Sequence, residues 1–306
     1  MTSRKERVSI LDLQSMSDSN QRIAMLTCYD YPSARLAERA KIPIILVGDT
    51  LGMVVLGYDS TLPVTLEDMI HHGKAVRRGA LKAHVVVDLP FGSYQSDSLK
   101  AMDSAVRIMK ETECDSVKLE GASDQVLDAI QKLSTAGIPV MGHIGLTPQS
   151  INALGGFKLQ GRTPRDAIRL LMEAQKLEDA GAYALVLECI PTALAAKITE
   201  VLNIPTIGIG AGPYTNGQVQ VWHDIFGLYE DLKPRHSRVF SSIGEEMLSA
   251  IEQYITAVQT GEFPNSRESF MLSKEVGKWV KDNLPGSAQS MKQAEQVLLE
   301  AKRDDN

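Results

Sequence analysis

The chain has 306 residues, 43% of them hydrophobic and 23% charged, enough for one large globular domain or two ordinary ones. A net charge of −6 argues against a nucleic-acid footprint, which is normally basic, and no apolar run reaches the ~20 residues that span a bilayer. Three scattered cysteines, Cys28, Cys114 and Cys189, are too few for a disulfide framework or a thiolate metal site. Each reads as small, buried and reduced. The first twenty residues hold no apolar stretch of the kind that marks a secretory signal, so a cytoplasmic protein is expected.

In chain order, residues 1–21 read as an entry arm or short helix. Ile23–Thr27 is the first strand, and Pro32 opens a helix through Ala40. Ile44–Val47 is the second strand, followed by a Gly-containing excursion from Leu51 to Thr65. Thr65 then caps a helix over Leu66–Gly79. His71 and His72 on that helix read as exposed residues rather than ligands. Val85–Val87 is the third strand, Ser98–Thr112 a helix, Val117–Gly121 the fourth strand, and Asp124–Thr135 a helix stopped by Gly137. Val140–Gly142 is the fifth strand, and the glycine-punctuated segment 144–163 is a functional loop. Pro164–Ala180 is a helix capped by Thr163. Ala184–Leu187 and Thr206–Gly208 are strands six and seven, separated by a helix over about Leu194–Val201, and Gln218–Trp222 is a weaker eighth. Beyond His236 the chain is helical and charged, from about Ile243 to Gln259. The domain reading is one catalytic unit over 1–272 and a charged helical extension over 273–306, with a docking helix in 287–303.

The stretch VKLEG, Val117 to Gly121, organises the rest. In a strand, alternate side chains share a face, so Lys118 and Glu120 point the same way. An amphipathic surface strand alternates similarly, but here the pattern repeats. Five apolar runs end in an acid or histidine: Asp49, Asp88, Glu120, His143 and Glu188. Eight strands separated mostly by helices predict parallel βαβ units. In a (β/α)8 barrel the reactive residues collect at the carboxyl ends of many strands, whereas an open doubly wound sheet draws on few. The barrel is therefore the expected α/β fold.

Asp49, Asp88 and Glu120 would put three carboxylates at one rim, where they repel unless a divalent cation joins them. Oxygen ligands favour Mg2+ over Zn2+. Lys118 would hold a substrate carboxylate. A 2-keto acid chelated to the metal has an acidified neighbouring C–H bond, and the metal stabilises the enolate. Glu188, among apolar neighbours that make a carboxylate more basic, is the proton acceptor, with a fourth metal ligand or an ordinary helix-start acid as the alternative. His143 hydrogen-bonds substrate or orients a ligand, or else is a satisfied structural histidine. A buried structural ion network is the competing explanation for the whole set. The run GIGAG, 208–212, resembles an anion cradle, or else makes room for a flat ligand.

VGDTLGM, DLPFGSYQ, VKLEG, GHIGLTPQ, GGFKLQGR, LVLECIP, PTIGIGAG and GQVQVWHD follow one another in this chain. As an ordered set, from about Met25 to Phe263, they resemble the ketopantoate (3-methyl-2-oxobutanoate) hydroxymethyltransferase family. The resemblance implies a (β/α)8 TIM barrel of the phosphoenolpyruvate/pyruvate superfamily and a homodecamer. It implies transfer of a one-carbon unit from 5,10-methylenetetrahydrofolate to 3-methyl-2-oxobutanoate, giving 2-dehydropantoate for pantothenate. One Mg2+ per subunit would be held by Asp49, Asp88 and Glu120, the last through water. Asp49, Thr50, Asp88 and Lys118 would bind the keto acid, and Glu188 would accept the proton. Thr50 stands where serine is common, Gly92 where methionine is, and Leu154 where alanine is. A C–C lyase or phosphoenolpyruvate mutase would use the same enolate chemistry, but carries a KKCGH loop that this sequence lacks. A catalytically silent barrel would have no use for the whole set of acids.

Overall fold

In a computed structural model of the chain, described for residues 7–229, 231 and 233–284, eight parallel strands close into a barrel in chain order. They are β1 Ile23–Thr27, β2 Ile44–Val47, β3 His84–Asp88, β4 Ser116–Glu120, β5 Val140–Gly145, β6 Ala184–Glu188, β7 Thr206–Ile209 and β8 Gly217–Gln220. Closure comes from β1 lying parallel to β8, with Ile23 opposite Gly217 and Met25 opposite Val219. The strand β5 is longer than expected, so His143 lies within it rather than after it. The strand β8 is shorter, because Trp222 starts a one-turn helix, Trp222–Phe226.

The strands are nearly continuous apolar runs because both faces are covered. Alternation divides them into two layers. Ile44, Leu46, Val86, Met141, Val186 and Ile207 fill the barrel interior. Ile45, Val47, Val85, Val87, Val117 and Leu119 face the surrounding helices. Those helices start where their caps predict. Asp30 caps Tyr31–Arg39, Thr65 caps Leu66–Gly79 through Asp68, and Thr163 caps Pro164–Asp179. A side-chain cap of this kind satisfies an amide that the first helical turn leaves open.

The amino-terminal end of the barrel is sealed by the entry arm. Its helix Ile10–Asp18 buries Leu13 among the interior residues. Beneath it, His84 Nδ1 meets the Val8 carbonyl at 3.1 Å, while Nε2 lies 2.9 Å from Ser116 Oγ and 3.1 Å from Tyr183 Oη. At the opposite end, the excursion 51–65 contributes a one-turn helix, Leu51–Val54. The segment after β5 folds into a 3-10 turn, Pro148–Ser150, and a second one-turn helix, Ile151–Leu154.

The chain divides into two compact units, Met1–Gly244 and Glu245–Asn306. The first contains the barrel. The second begins within the helix Ile243–Thr260; in it Tyr254 and Phe263 stack edge to face at 5.7 Å, and Ser273 caps a further helix, Lys274–Asn283. The helix expected over 287–303 falls outside the described residues. Among the described residues, no helix is long and apolar enough to cross a membrane.

Candidate active site

Period-two alternation aims the charged residues inward at the carboxyl ends of the strands. Asp88 ends β3, while Lys118 and Glu120 occupy alternate positions of β4. Lys118 sits opposite Asp88 in register, and Glu120 opposite His143. Just past β2, Asp49 donates its backbone N–H to Asp88 Oδ2 at 3.1 Å, which ties the two carboxylates to one point. Thr50, beside it, has Oγ1 3.1 Å from Tyr29 Oη. Glu188 closes the set from the end of β6. Its backbone carbonyl accepts the Leu146 N–H at 2.9 Å. This close approach requires Gly145, because a side chain there would collide with that carbonyl.

Lys118 Nζ lies 3.1 Å from Asp88 Oδ1 and 3.7 Å from Glu120 Oε1. His143 bridges two acids: Nδ1 is 3.3 Å from Glu120 Oε1 and Nε2 is 3.2 Å from Glu188 Oε2. Asp49, Asp88, Lys118, Glu120 and His143 are all buried, whereas the Glu188 side chain keeps 15% of its surface exposed to the cavity. Burial works against the Lys118 charge, but Asp88, Glu120 and Asp49 outweigh it and hold the ammonium above the ordinary lysine range. Burial and Lys118 press His143 down, yet Glu120 and Glu188 raise it to about 9. A protonated ring meets both acids as ion-pair contacts, although Nε2 makes no hydrogen bond and Nδ1 also lies 3.4 Å from Lys118 Nζ. Burial pushes Glu120 up, but His143 and Lys118 more than offset it and keep the carboxyl low. Asp49 goes the other way. Burial first, then the charges of Glu120 and Asp88, raise it well above the usual carboxylate range. Asp88 is also raised by burial, with Lys118 opposing.

Within the buried cluster four carboxylates, Asp49, Asp88, Glu120 and Glu188, therefore outnumber two basic groups, Lys118 and His143, while Asp224, Lys158, Lys233, Arg235 and His236 also line the cavity. The surplus is what a divalent cation would neutralise, and the donors are hard oxygens. Among the described residues, no three His, Cys, Asp or Glu side chains are already gathered as a ligand cluster. Glu120 has both oxygens engaged, Oε1 with Lys118 and His143 and Oε2 with the Gln149 amide at 3.1 Å. The arrangement fits Mg2+, which takes one or two carboxylates and keeps waters and substrate oxygens in its remaining positions.

All seven residues expected from the sequence, Asp49, Thr50, Asp88, Lys118, Glu120, His143 and Glu188, line one cavity of about 820 Å³. Other expectations need correcting. Cys189 is half-buried and lines this cavity, with its thiol pushed up to about 12 by burial. His71 is exposed, but His72 is half-buried and its Nδ1 meets the Tyr29 carbonyl at 2.6 Å. The glycines of 208–212 make room for the protein's own side chains: Thr215 packs against Gly208, His236 against Gly210 and Thr192 against Gly212. Strand-end reasoning missed Tyr94, Gln149 and Asp224, which stand on loops or a short helix rather than after an apolar run. Each lies within a motif quoted above, DLPFGSYQ, GHIGLTPQ or GQVQVWHD. Asp224 lines the cavity, and burial lifts its carboxyl to about 6.

A closed eight-stranded parallel barrel with an acid-rich cavity at its carboxyl-terminal mouth defines a (β/α)8 enzyme scaffold. Solved structures share it. A phosphoenolpyruvate phosphomutase from Streptomyces platensis subsp. rosaceus superposes with a TM-score of 0.56 at 13% identity, covering 97% of this chain and 99% of that one. A 2,3-dimethylmalate lyase, a member of the PEP mutase/isocitrate lyase superfamily, gives a TM-score of 0.55 at 14% identity, over 94% and 98% of the two chains. At such identities the likeness is one of fold. Sequence relatives are much nearer. A 3-methyl-2-oxobutanoate hydroxymethyltransferase from Carboxydothermus hydrogenoformans is 51% identical over 271 residues, 89% of this chain and 98% of its own. One from Chloroflexus aurantiacus is 53% identical over 263 residues, 86% of this chain and 92% of its own. The model of the family described as ketopantoate hydroxymethyltransferase matches residues 7–266, and the chain belongs to that family.

Proposed function

We propose that this chain is a 3-methyl-2-oxobutanoate hydroxymethyltransferase acting in pantothenate biosynthesis. It combines 3-methyl-2-oxobutanoate, 5,10-methylenetetrahydrofolate and water to give 2-dehydropantoate and tetrahydrofolate. The observation that carries the reading is the division of labour among the acids. Asp49, Asp88 and Glu120 are buried around Lys118, whereas Glu188 faces the cavity from the next-but-one strand with His143 beside it.

Asp49 and Asp88 would hold Mg2+, with Glu120 reaching it through water. Bound there, the metal would supply Lewis acidity to the keto and carboxylate oxygens of the substrate. Lys118, held cationic, attracts the same carboxylate and offsets the negative charge that builds on the keto oxygen. Glu188 receives the C3 proton on its free carboxylate oxygen, and the C–H electron pair stays on the substrate. His143 orients Glu188 through the 3.2 Å contact. The substrate carbon then bonds to the one-carbon unit of the folate. Both C–N bonds of the methylene bridge break, water provides the new hydroxyl oxygen, and the two folate nitrogens take up one proton from that water and the one that Glu188 removed from C3.

The cavity extends well past what a small keto acid needs. Its outer part, lined by Phe157, Leu159, Asp224 and Tyr229, would receive the folate. The subunit works in the cytoplasm as part of a homodecamer, an assembly supported by the family resemblance and testable by analytical ultracentrifugation.

The deciding experiment follows exchange of the C3 hydrogen of 3-methyl-2-oxobutanoate in deuterated buffer by NMR, with and without Mg2+. Exchange that requires the metal and disappears in Glu188→Gln is expected, and methylenetetrahydrofolate should then yield 2-dehydropantoate. A wild-type protein that gives neither exchange nor product would overturn the assignment.

A further inference from the structure

The residue that ties the acids together stands on none of the barrel strands. Gln149 belongs to the 3-10 turn Pro148–Ser150, is 4% exposed, and has all the hydrogen-bonding capacity of its side-chain amide in use. Its Nε2 donates to Asp49 Oδ2 at 2.8 Å and to the Leu89 carbonyl at 2.9 Å. Its Oε1 accepts from Tyr94 Oη at 2.7 Å and from Gln95 Nε2 at 2.8 Å. An amide has two N–H donors and two lone pairs, so no capacity remains.

Backbone groups at both ends fix which way this amide points. The Gly92 N–H donates to Gln95 Oε1 at 2.7 Å, so the Gln95 nitrogen must face Gln149. The Leu89 carbonyl can only accept, so the Gln149 nitrogen must face it and Asp49. Tyr94 adds a second lock: its hydroxyl accepts the Glu120 N–H at 2.9 Å and gives its own proton to Gln149. The backbone N–H of Gln149 also donates to Glu120 Oε2 at 3.1 Å. A single turn thus grips one oxygen of Asp49 and one of Glu120. Among the described residues, no hydrogen bond is made to Asp49 Oδ1.

We propose that Gln149 is the positioning residue of the metal and keto-acid site, setting the Asp49 carboxylate with Oδ2 spent and Oδ1 left for the ligand, and that Tyr94 holds Gln149 in that orientation. This rests on the reading of Asp49 as a ligand given above. An amide that only filled space in the core would have no bearing on ligand affinity. Partners of this kind around a metal typically alter affinity by about 10–100-fold when removed.

The test titrates MgCl2 calorimetrically into the wild-type protein and into Gln149→Met, Tyr94→Phe and Asp49→Asn, with the melting temperature of each metal-free protein recorded alongside. Gln149→Met should weaken Mg2+ binding at least tenfold, and Tyr94→Phe by a smaller factor in the same direction. In both, the KM for 3-methyl-2-oxobutanoate should rise while that for methylenetetrahydrofolate stays put. Folded variants that bind Mg2+ as the wild type does would overturn the inference, and if Gln149→Met does not fold, an unchanged affinity in Tyr94→Phe alone suffices. Loss of Mg2+ in Asp49→Asn together with full retention in Gln149→Met would sink this role and leave the metal reading standing. A wild-type protein that takes up no Mg2+ removes both.

Discussion

The barrel carries a buried polar network at each end, and the two share strands. β3 contributes His84 to the amino-terminal network and Asp88 to the carboxyl-terminal one, while β4 contributes Ser116 and Glu120. At the amino-terminal end the groups mostly pair with one another, with Arg77 Nε left without a hydrogen bond. Burial keeps His84 neutral, a backbone carbonyl and two hydroxyls complete its bonds, and Arg77 meets Asp115 at 2.8 Å. At the carboxyl-terminal end the buried cluster sets four carboxylates against two basic groups, beside a cavity that Asp224, Lys158, Lys233, Arg235 and His236 also line. A network that only holds a fold spends its charges internally. One that acts on a ligand keeps a surplus, and the desolvation that this costs is visible in the raised Asp49 carboxyl.

The comparison can be broken by substitution at either end. The largest effect is expected for Glu188→Gln, which should lower kcat about a thousandfold, within the usual range for a general base, with little change in melting temperature. Next comes Lys118→Met, which leaves Asp88 buried without its cation and Glu120 with His143 alone. It should cost about 3–5 kcal/mol in a denaturant titration, with Mg2+ restoring part of the loss. At the other end, Ser116→Ala removes the hydroxyl shared by His84 and Tyr183. About 1–2 kcal/mol should go, with KM and Mg2+ affinity unchanged. If Ser116→Ala altered Mg2+ affinity, the two networks would not be independent.

The smallest effect concerns Asp224. Its folded pKa of about 6 is above the ordinary carboxylate value, so its contribution to stability is fully present below the unfolded pKa and is lost as pH rises through about 6. Asp224→Asn cannot ionise, so it should melt above the wild type at pH 8, with the gap closing as pH falls toward 4. Because the side chain is only half-buried, solvent screening limits the gain to about one or two degrees. The same variant should raise the KM for methylenetetrahydrofolate if the outer cavity holds the folate. An unchanged value would move the folate elsewhere.

What the sequence determined on its own was everything that depends on local period and strand-end position. Apolar runs of strand length separated by capped helices can close only as parallel βαβ units. Alternation in VKLEG places Lys118 and Glu120 on one face of a strand. Asp49, Asp88 and Glu188 were legible because each directly follows or ends such a run. The tertiary structure alone decided which partners these groups take. His143 bridges Glu120 and Glu188 because β4, β5 and β6 are neighbours in the closed barrel. Gln149 reaches Asp49 from a turn one hundred residues along the chain, and Tyr94 comes to it from another loop. Such contacts have no period to read, since hydrogen bonds between loops are set by where barrel closure brings the strand ends and not by spacing along the chain.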